Sequence, residues 1–172
     1  MKPDLHYSFQ ADMQTNRLTI RREFDAPKDV VWDCYTKAEL LDQWFAPEPF
    51  SAKTKSISFK EGGHWHFAMV DPEGNEHWVR FDYETITPTD SYRAQDAFSD
   101  AEGGINRDMP VSIWDVTFED AYPRTLVQIV STYETSEALQ QVIDMGMQQG
   151  MEATLAQLDK LLKVKMSENE IV

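Results

Sequence analysis

The sequence predicts an α+β protein in which a curved antiparallel sheet wraps around one long C-terminal helix. Between residues 51 and 134, hydrophobic and polar residues alternate with a period of two, and four turn-like segments interrupt the alternation. After residue 136, hydrophobic residues recur at helical spacing as far as residue 162. Short turns between consecutive strands favour antiparallel pairing, because parallel neighbours would need long crossover connections.

Two strands and two short helices are predicted ahead of this region. A strand is expected in or near residues 7–12, and the alternating segment 17–24 predicts a second. Pro27 suits the first turn of a helix, since its missing N–H would be unpaired there, and a hydrophobic repeat at helical spacing follows it. Another short helix is predicted across residues 38–45, before Pro47 ends it.

Turn chemistry divides the alternating region into six strands. The turns lie at residues 61–63, 71–75, 88–90 and 120–123. The strands are predicted near residues 52–60, 64–70, 77–86, 91–98, 111–119 and 125–133. The segment 99–108 is predicted to be one long flexible connection.

The hydrophobic repeat near the C-terminus predicts one helix from about 137 to 165, with Ser136 as its N-cap. Such a helix would span ~43 Å, enough to lie across a whole sheet. Gly146 and Gly150 would share one of its faces, and each costs about 1 kcal/mol relative to Ala inside a helix. Close helix-to-sheet contact and space for a ligand are the two explanations left open.

Composition and charge exclude several classes of function. The 30 acidic and 16 basic residues give a net charge of -14, which disfavours binding to nucleic acid. No segment is apolar enough for membrane insertion or for a signal peptide, and the single cysteine, Cys34, excludes an internal disulfide framework. We therefore expect a cytoplasmic protein with one domain over residues 1–172, a core at about 17–163 and a flexible tail at about 166–172.

Several spaced motifs resemble one protein family. REFDAPKDVVWDCYTKAELLDQWFAP, residues 22–47, and GGHWHFAMVDPEGNE, residues 62–76, are similar to segments of single-domain bacterial proteins that resemble the C-terminal domain of the activator of Hsp90 ATPase. YETITP, VTFED and GMEATLAQLDKLL follow in the family's order. These proteins belong to the START-like (SRPBCC) superfamily, so the resemblance implies a helix-grip (START/Bet v 1-like) fold with two short helices after the first strand. The sequence departs from many relatives at Phe81 and Met147.

The resemblance implies three classes of function. The leading one is binding of a hydrophobic small molecule (a lipid, an aromatic or a polyketide-like compound) in a cavity between the sheet and the C-terminal helix. The alternatives are a cofactor of an Hsp90-type chaperone and an enzyme of the cyclase or hydrolase type. No cofactor is expected, a chaperone partner and a homodimer are left open, and catalysis is the less favoured reading.

The candidate ligand-binding residues are the large apolar side chains that would face such a cavity. They are Trp44, Phe45, Trp65, Phe67, Met69, Val79, Phe81, Tyr83, Trp114, Ile143, Met147 and Met151. A core filled by these same side chains is the alternative. Alternation within the strand 64–70 separates its apolar face from its two histidines, His64 and His66, which we expect on the solvent side.

Neither a metal site nor a catalytic motif is predicted. Zinc takes four ligands in structural sites and three plus water in catalytic ones, and His64 and His66 are only two. The sequence contains no GxSxG, HExxH or GxGxxG motif, and Cys34 is predicted to be a buried, unactivated thiol on the first helix. Without support from spacing, the acid–base candidates within a cavity are Asp115, His77, Tyr133 and Glu134.

Overall fold

The computed structural model describes the backbone of residues 5–171 and the side chains of residues 5–168. Within this part of the chain, eight strands and four helices follow one another. In chain order they are β1 (Tyr7–Asp12), β2 (Arg17–Phe24), α1 (Lys28–Thr36), α2 (Ala38–Trp44), β3 (Ser51–Ile57), β4 (His64–Val70), β5 (Glu76–Thr87), β6 (Ser91–Phe98), β7 (Val111–Ala121), β8 (Arg124–Tyr133), α3 (Ser136–Asp144) and α4 (Met147–Ile171).

The eight strands form one curved antiparallel sheet in the order β1-β2-β8-β7-β6-β5-β4-β3. Strands β3 to β8 are the predicted meander, and β2 closes the arrangement by pairing with β8. The two short helices α1 and α2 follow the second strand along the chain. The architecture is the predicted α+β helix-grip arrangement, with the helices packed on the concave face of the sheet.

Aromatic packing fills the end of the concave face that lies under α1. The Trp32 ring lies 5.7 Å from Phe59, 6.2 Å from Tyr92 and 5.0 Å from Phe118, each in an edge-to-face arrangement. Such pairs contribute about 0.5–1.5 kcal/mol each beyond their burial of apolar area. This end of the concave face is therefore packed with side chains, and a cavity lies toward the other end of the sheet.

The prediction of a single C-terminal helix is wrong. The chain forms α3 and α4 with a break at Gly146, whose φ of 92° lies in the left-handed region that favours glycine. The Gly146 N–H donates to the Ile143 carbonyl at 3.0 Å, which closes the last turn of α3. The break turns the chain between the two helices while the hydrophobic repeat continues through it.

The two ends of this helical region also differ from the prediction. The N-cap is Thr135, one residue earlier than expected, and its hydroxyl oxygen accepts a bond from the Ala138 N–H at 3.0 Å. At the other end, α4 continues through Ile171, whereas the sequence predicts the helix to end at about 165. The flexibility of the tail at about 166–172 stays a prediction. Residues 1–4 and residue 172, which the predicted domain 1–172 includes, lie outside the described residues.

The two histidines of β4 differ from each other, and the prediction of two solvent-facing side chains is wrong for His66. In the hairpin of β4 and β5, His64 lies opposite Asp82 and His66 opposite Arg80. His64 is partly exposed, whereas His66 is only 4% exposed. Alternation predicts the correct face of the sheet for both residues, but another part of the chain covers that face at His66.

The covering segment is the connection 99–108 between β6 and β7. The Asp100 carbonyl accepts a bond from His66 Nε2 at 2.9 Å, and the Gly103 carbonyl accepts one from Arg80 at 3.2 Å. Lys55 donates to a further carbonyl of the same segment. Three basic side chains on the convex face therefore anchor the backbone of a connection that the sequence predicts to be flexible.

Candidate ligand-binding cavity

A cavity of about 250 Å³ lies between the concave face of the sheet and the break between α3 and α4. It reaches the surface beside Met145, whose side chain is 53% exposed. Most of its wall is apolar, and it is formed by the five strands β4 to β8, the segment after α2, and the helices α3 and α4. The apolar side chains of the wall include Phe45, Pro47, Phe67, Met69, Val79, Phe81, Phe98, Trp114, Val142, Met147 and Met151.

Eight of the twelve predicted ligand-binding residues lie in this wall. They are Phe45, Phe67, Met69, Val79, Phe81, Trp114, Met147 and Met151. Both positions at which the sequence departs from many relatives, Phe81 and Met147, are among them. Their contact with a ligand stays a prediction.

The other four predicted residues, Trp44, Trp65, Tyr83 and Ile143, lie outside the cavity wall. Trp65 stands behind the wall, stacked on Phe67 with ring centroids 3.8 Å apart. The indole N–H of Trp44 donates to the Cys34 carbonyl at 2.9 Å, which turns that ring into the core. Alternation and helical spacing place such residues on the inner face, but the packing of neighbouring side chains determines which of them line the cavity.

Both glycines of the helical region border the cavity, and neither is explained by close packing of helix on sheet. Gly146 is required at the break, where a side chain would be strained by the positive φ. A Cβ atom at Gly150 would lie 3.9 Å from the Pro47 side chain, which is an ordinary contact. Of the two explanations that the sequence leaves open for Gly150, the structure therefore favours space beside the helix.

One region of the wall is polar. Asp96 on β6, Ser112 on β7 and Tyr133 on β8 lie directly opposite one another in the sheet register, so they form a row across three strands. Thr154 of α4 also lines the cavity and is 5% exposed. The Ser112 hydroxyl donates to the Asp96 carboxylate at 3.4 Å. A cluster of hydroxyl groups and one carboxylate therefore borders an otherwise apolar space.

Asp96 is the one titratable carboxyl group in this wall among the described residues, and sequence reasoning missed it. Burial raises the pKa of Asp96 to about 7, and the nearby Ser112 hydroxyl and Trp114 indole N–H offset only part of that effect. Asp96 as a whole residue is partly exposed, and it lines the cavity. Asp96 shares one face of β6 with Tyr92, Ala94 and Phe98, so an acidic residue on an otherwise apolar face was the available signal.

Two further polar groups near Asp96 have unusual surroundings. The Trp114 indole nitrogen is buried, and its N–H forms no hydrogen bond of good geometry with any described residue. It is nevertheless close enough to the Asp96 carboxylate to favour the ionised form of that group. Burial raises the pKa of Tyr133 to about 12, and the neighbouring Asp96 adds to that rise. The tyrosine is therefore a neutral phenol at physiological pH, able both to donate and to accept a hydrogen bond.

Comparison with known proteins identifies the family. The model of the family described as Activator of Hsp90 ATPase homolog 1-like protein matches residues 25–163. The chain belongs to this family. A search among curated proteins finds no match.

Solved structures agree with membership of the Activator of Hsp90 ATPase homolog 1-like family. Protein Ms6760 from Mycobacterium smegmatis is 30% identical, with a TM-score of 0.84 over 92% of this chain and 97% of that chain. A protein from Staphylococcus epidermidis is 33% identical, with a TM-score of 0.80 over 91% and 94% of the two chains. A protein from Arthrobacter aurescens is 29% identical, with a TM-score of 0.86 over 91% of each. The predicted family and helix-grip fold are thereby confirmed, and the family is compatible with small-molecule and with chaperone partners.

The acid–base candidates predicted from the sequence of this family member are dispersed. Asp115 is paired with Arg93 at 2.9 Å on the convex face, and Glu134 is exposed beyond the end of β8, so the expectation that either lies in the cavity is wrong. His77 lies at the cavity mouth with its ring nitrogen 3.2 Å from the Asp71 carboxylate. Tyr133 alone of the four reaches the interior of the cavity.

The cysteine of this family member is a buried packing residue, and the described residues hold neither a metal-binding cluster nor a membrane-spanning helix. Cys34 is buried as predicted, and burial raises the pKa of its thiol to about 11. Across residues 5–171, no group of three or more His, Cys, Asp and Glu side chains is placed to hold a metal ion. No helix in the same range is both long enough and apolar enough to cross a membrane.

Proposed function

We propose that the protein binds a hydrophobic small molecule in the cavity between the sheet and the α3–α4 break. The observation that carries this proposal is the cavity itself. Native interiors contain few voids larger than a water molecule. Here a space of about 250 Å³ with a mostly apolar wall and a few polar groups stays unfilled by side chains and opens to the surface, as ligand-binding pockets do.

The size and the wall of the cavity favour a compact ligand with an apolar body. An engineered apolar cavity of ~150 Å³ holds benzene, so about 250 Å³ leaves room for a ring with a short chain. Phe45, Phe67 and Phe81 offer aromatic surfaces, and Met147 and Met151 supply unbranched side chains that adapt to different shapes. The ligand classes predicted from the sequence (lipids, aromatics and polyketide-like compounds) all contain such bodies.

A thermal-shift panel of these three classes tests the proposal. A ligand present at ~100 times its Kd stabilises the folded protein by ~2.7 kcal/mol, which corresponds to a rise in Tm of ~5–11 °C for a chain of this length. Gly150→Leu should fill the cavity and abolish the shift. Gln148→Leu places the same side chain on an exposed position of α4 and should leave the shift intact. The proposal fails if no compound raises Tm, or if the two variants respond alike.

A second candidate function, favoured by the name of the matching family, is action on an Hsp90-type chaperone. The test is the ATPase rate of such a chaperone with and without the full chain. A change in rate that persists in Gly150→Leu would support a chaperone role that is independent of the cavity. An unchanged rate, together with no pull-down of the chaperone, would exclude it.

The enzyme alternative has one feature in its favour, which is the polar row of Asp96, Ser112 and Tyr133 beside the cavity. Turnover of a cyclase-type or hydrolase-type substrate that is lost in both Asp96→Asn and Tyr133→Phe would support it. Binding without turnover leaves the binding function as the conclusion.

A further inference from the structure

We propose that the ligand carries a protonated amine that pairs with the Asp96 carboxylate while its apolar body occupies the rest of the cavity. This inference rests on the proposed function and adds the chemical class of the ligand. The cavity wall holds a carboxylate without a cationic partner. Asp96 faces the cavity, and among the described residues no Lys, Arg or His nitrogen forms an ion pair with it. Its hydrogen bond from Ser112 is long, at 3.4 Å.

Carboxylates withdrawn from water are normally paired, because removal of an unpaired charge from water costs several kcal/mol. Asp96 lines the cavity, and no described residue supplies a cationic partner there. A bound ammonium group would complete the ion pair. Further acceptors lie along the same row, since Ser112 is opposite Asp96 in the sheet register and Tyr133 is opposite Ser112 on the next strand.

The surroundings of Asp96 also favour a cation over other polar groups. Phe81 lies opposite Asp96 in the register, and the Phe81 ring meets Trp114 edge to face at 5.1 Å. The faces of such rings attract a cation that approaches them. An anionic ligand would instead meet the Asp96 carboxylate within a protein of net charge -14.

A neutral alcohol would fit the cavity but would leave the carboxylate charge uncompensated. A charge-assisted hydrogen bond contributes ~1.5–3 kcal/mol against ~1 kcal/mol for a neutral one. An arylalkyl or alkyl amine whose apolar part is the size of one ring is therefore the expected ligand class.

A matched series of three probes tests this inference on the full chain by calorimetry near pH 8. The probes are 2-phenylethylamine, 2-phenylethanol and 3-phenylpropionate, which share one apolar body and differ in charge. We expect the amine to bind at least about tenfold more tightly than the alcohol, and the carboxylate to bind most weakly. In Asp96→Asn the preference for the amine should disappear while the alcohol still binds, which also shows that the variant is folded.

Asp115→Asn is the matched control, because this aspartate occupies the adjacent strand on the convex face. It should retain the preference of the unmodified protein. Equal affinity for amine and alcohol, or a preference that survives in Asp96→Asn, overturns the inference and leaves the binding function standing. If none of the three probes binds, the inference is overturned. If in addition no compound of the wider panel raises Tm, the proposed function falls with it.

A change of pH supplies a second readout. Protonation of Asp96 would compete with binding of the amine, so affinity for the amine should fall on acidification while affinity for the alcohol stays constant. The other titratable groups of the wall are Tyr133, a neutral phenol, and His77, which lies at the mouth against Asp71. If a His77→Gln variant keeps the full pH dependence of amine affinity, the effect is assigned to Asp96. If the pH dependence disappears in that variant, the assignment to Asp96 is overturned.

Discussion

Replacing Asp96 with Asn should stabilise the unliganded protein, and the gain should depend on pH. Burial raises the pKa of Asp96 from an ordinary value of 3.8 to about 7. A difference of ~3 pKa units between the folded and unfolded states corresponds to at most about 4 kcal/mol. This figure is an upper limit, because Asp96 lines a cavity that is open to solvent and solvation of the charge there would reduce it.

The sign follows from proton binding. Between about pH 4 and 7 the folded state holds the Asp96 proton more tightly than the unfolded state does. The free energy of unfolding contributed by this group is therefore most favourable at low pH and falls as the pH rises through that window. Asn has no such titration. The difference between Asp96→Asn and the unmodified protein should grow from about pH 4 to 7 and then stay level.

Urea unfolding curves near pH 4, 6 and 8 measure this difference directly as free energies of unfolding. Asp115→Asn is the control, since it removes an exposed carboxylate paired with Arg93 at 2.9 Å and such pairs contribute ~0–1 kcal/mol. Its pH trend should follow that of the unmodified protein. Parallel curves for Asp96→Asn and the unmodified protein across this range would refute the reasoning that Asp96 is desolvated in the folded state.

Three other predictions follow from the backbone and from burial. Gly146→Ala should lower the free energy of unfolding by ~1–2 kcal/mol, because a φ of 92° is strained for a residue with a side chain. Gly150→Ala lies inside α4 and should raise the free energy of unfolding by up to ~1 kcal/mol. Urea unfolding measures both changes. His66→Ala should lower the free energy of unfolding by ~1–3 kcal/mol and speed proteolysis of the connection 99–108. His64 is partly exposed, so His64→Ala should have neither effect. Equal cleavage rates in the two variants would contradict the anchoring role of His66. The Cys34 thiol, with a pKa of about 11, should react with a thiol reagent near pH 8 only after denaturation, and rapid labelling of the folded protein would contradict its burial.

The strands and the two short helices could be predicted from the sequence because each has a local signal. Period-two alternation and short turns specify β3 to β8, and both are properties of a few neighbouring residues. Pro27 and the repeat behind it specify the start of α1 in the same way. For the cavity wall, alternation places Phe67, Val79 and Phe81 correctly, because the face of a strand residue follows from its position alone.

The helix break and the covered histidine could not be predicted, because neither has a local signal that outweighs the pattern around it. The hydrophobic repeat runs through Gly146 without interruption, and a glycine at that point fits a helix as well as it fits a left-handed turn. For His66, alternation specifies the convex face but not the segment 99–108 that folds over it. What covers a face is decided by contacts between residues far apart in the sequence.

The cavity and its buried carboxylate have a common structural origin. Because Gly146 ends α3 and lets the chain turn before α4, the helical layer is interrupted where β6, β7 and β8 present Asp96, Ser112 and Tyr133. Filling this space with side chains would bury Asp96 completely without a partner. An open cavity leaves the carboxylate one accessible side. The same opening that allows the protein to tolerate the charge is therefore the one through which a cationic ligand would reach it.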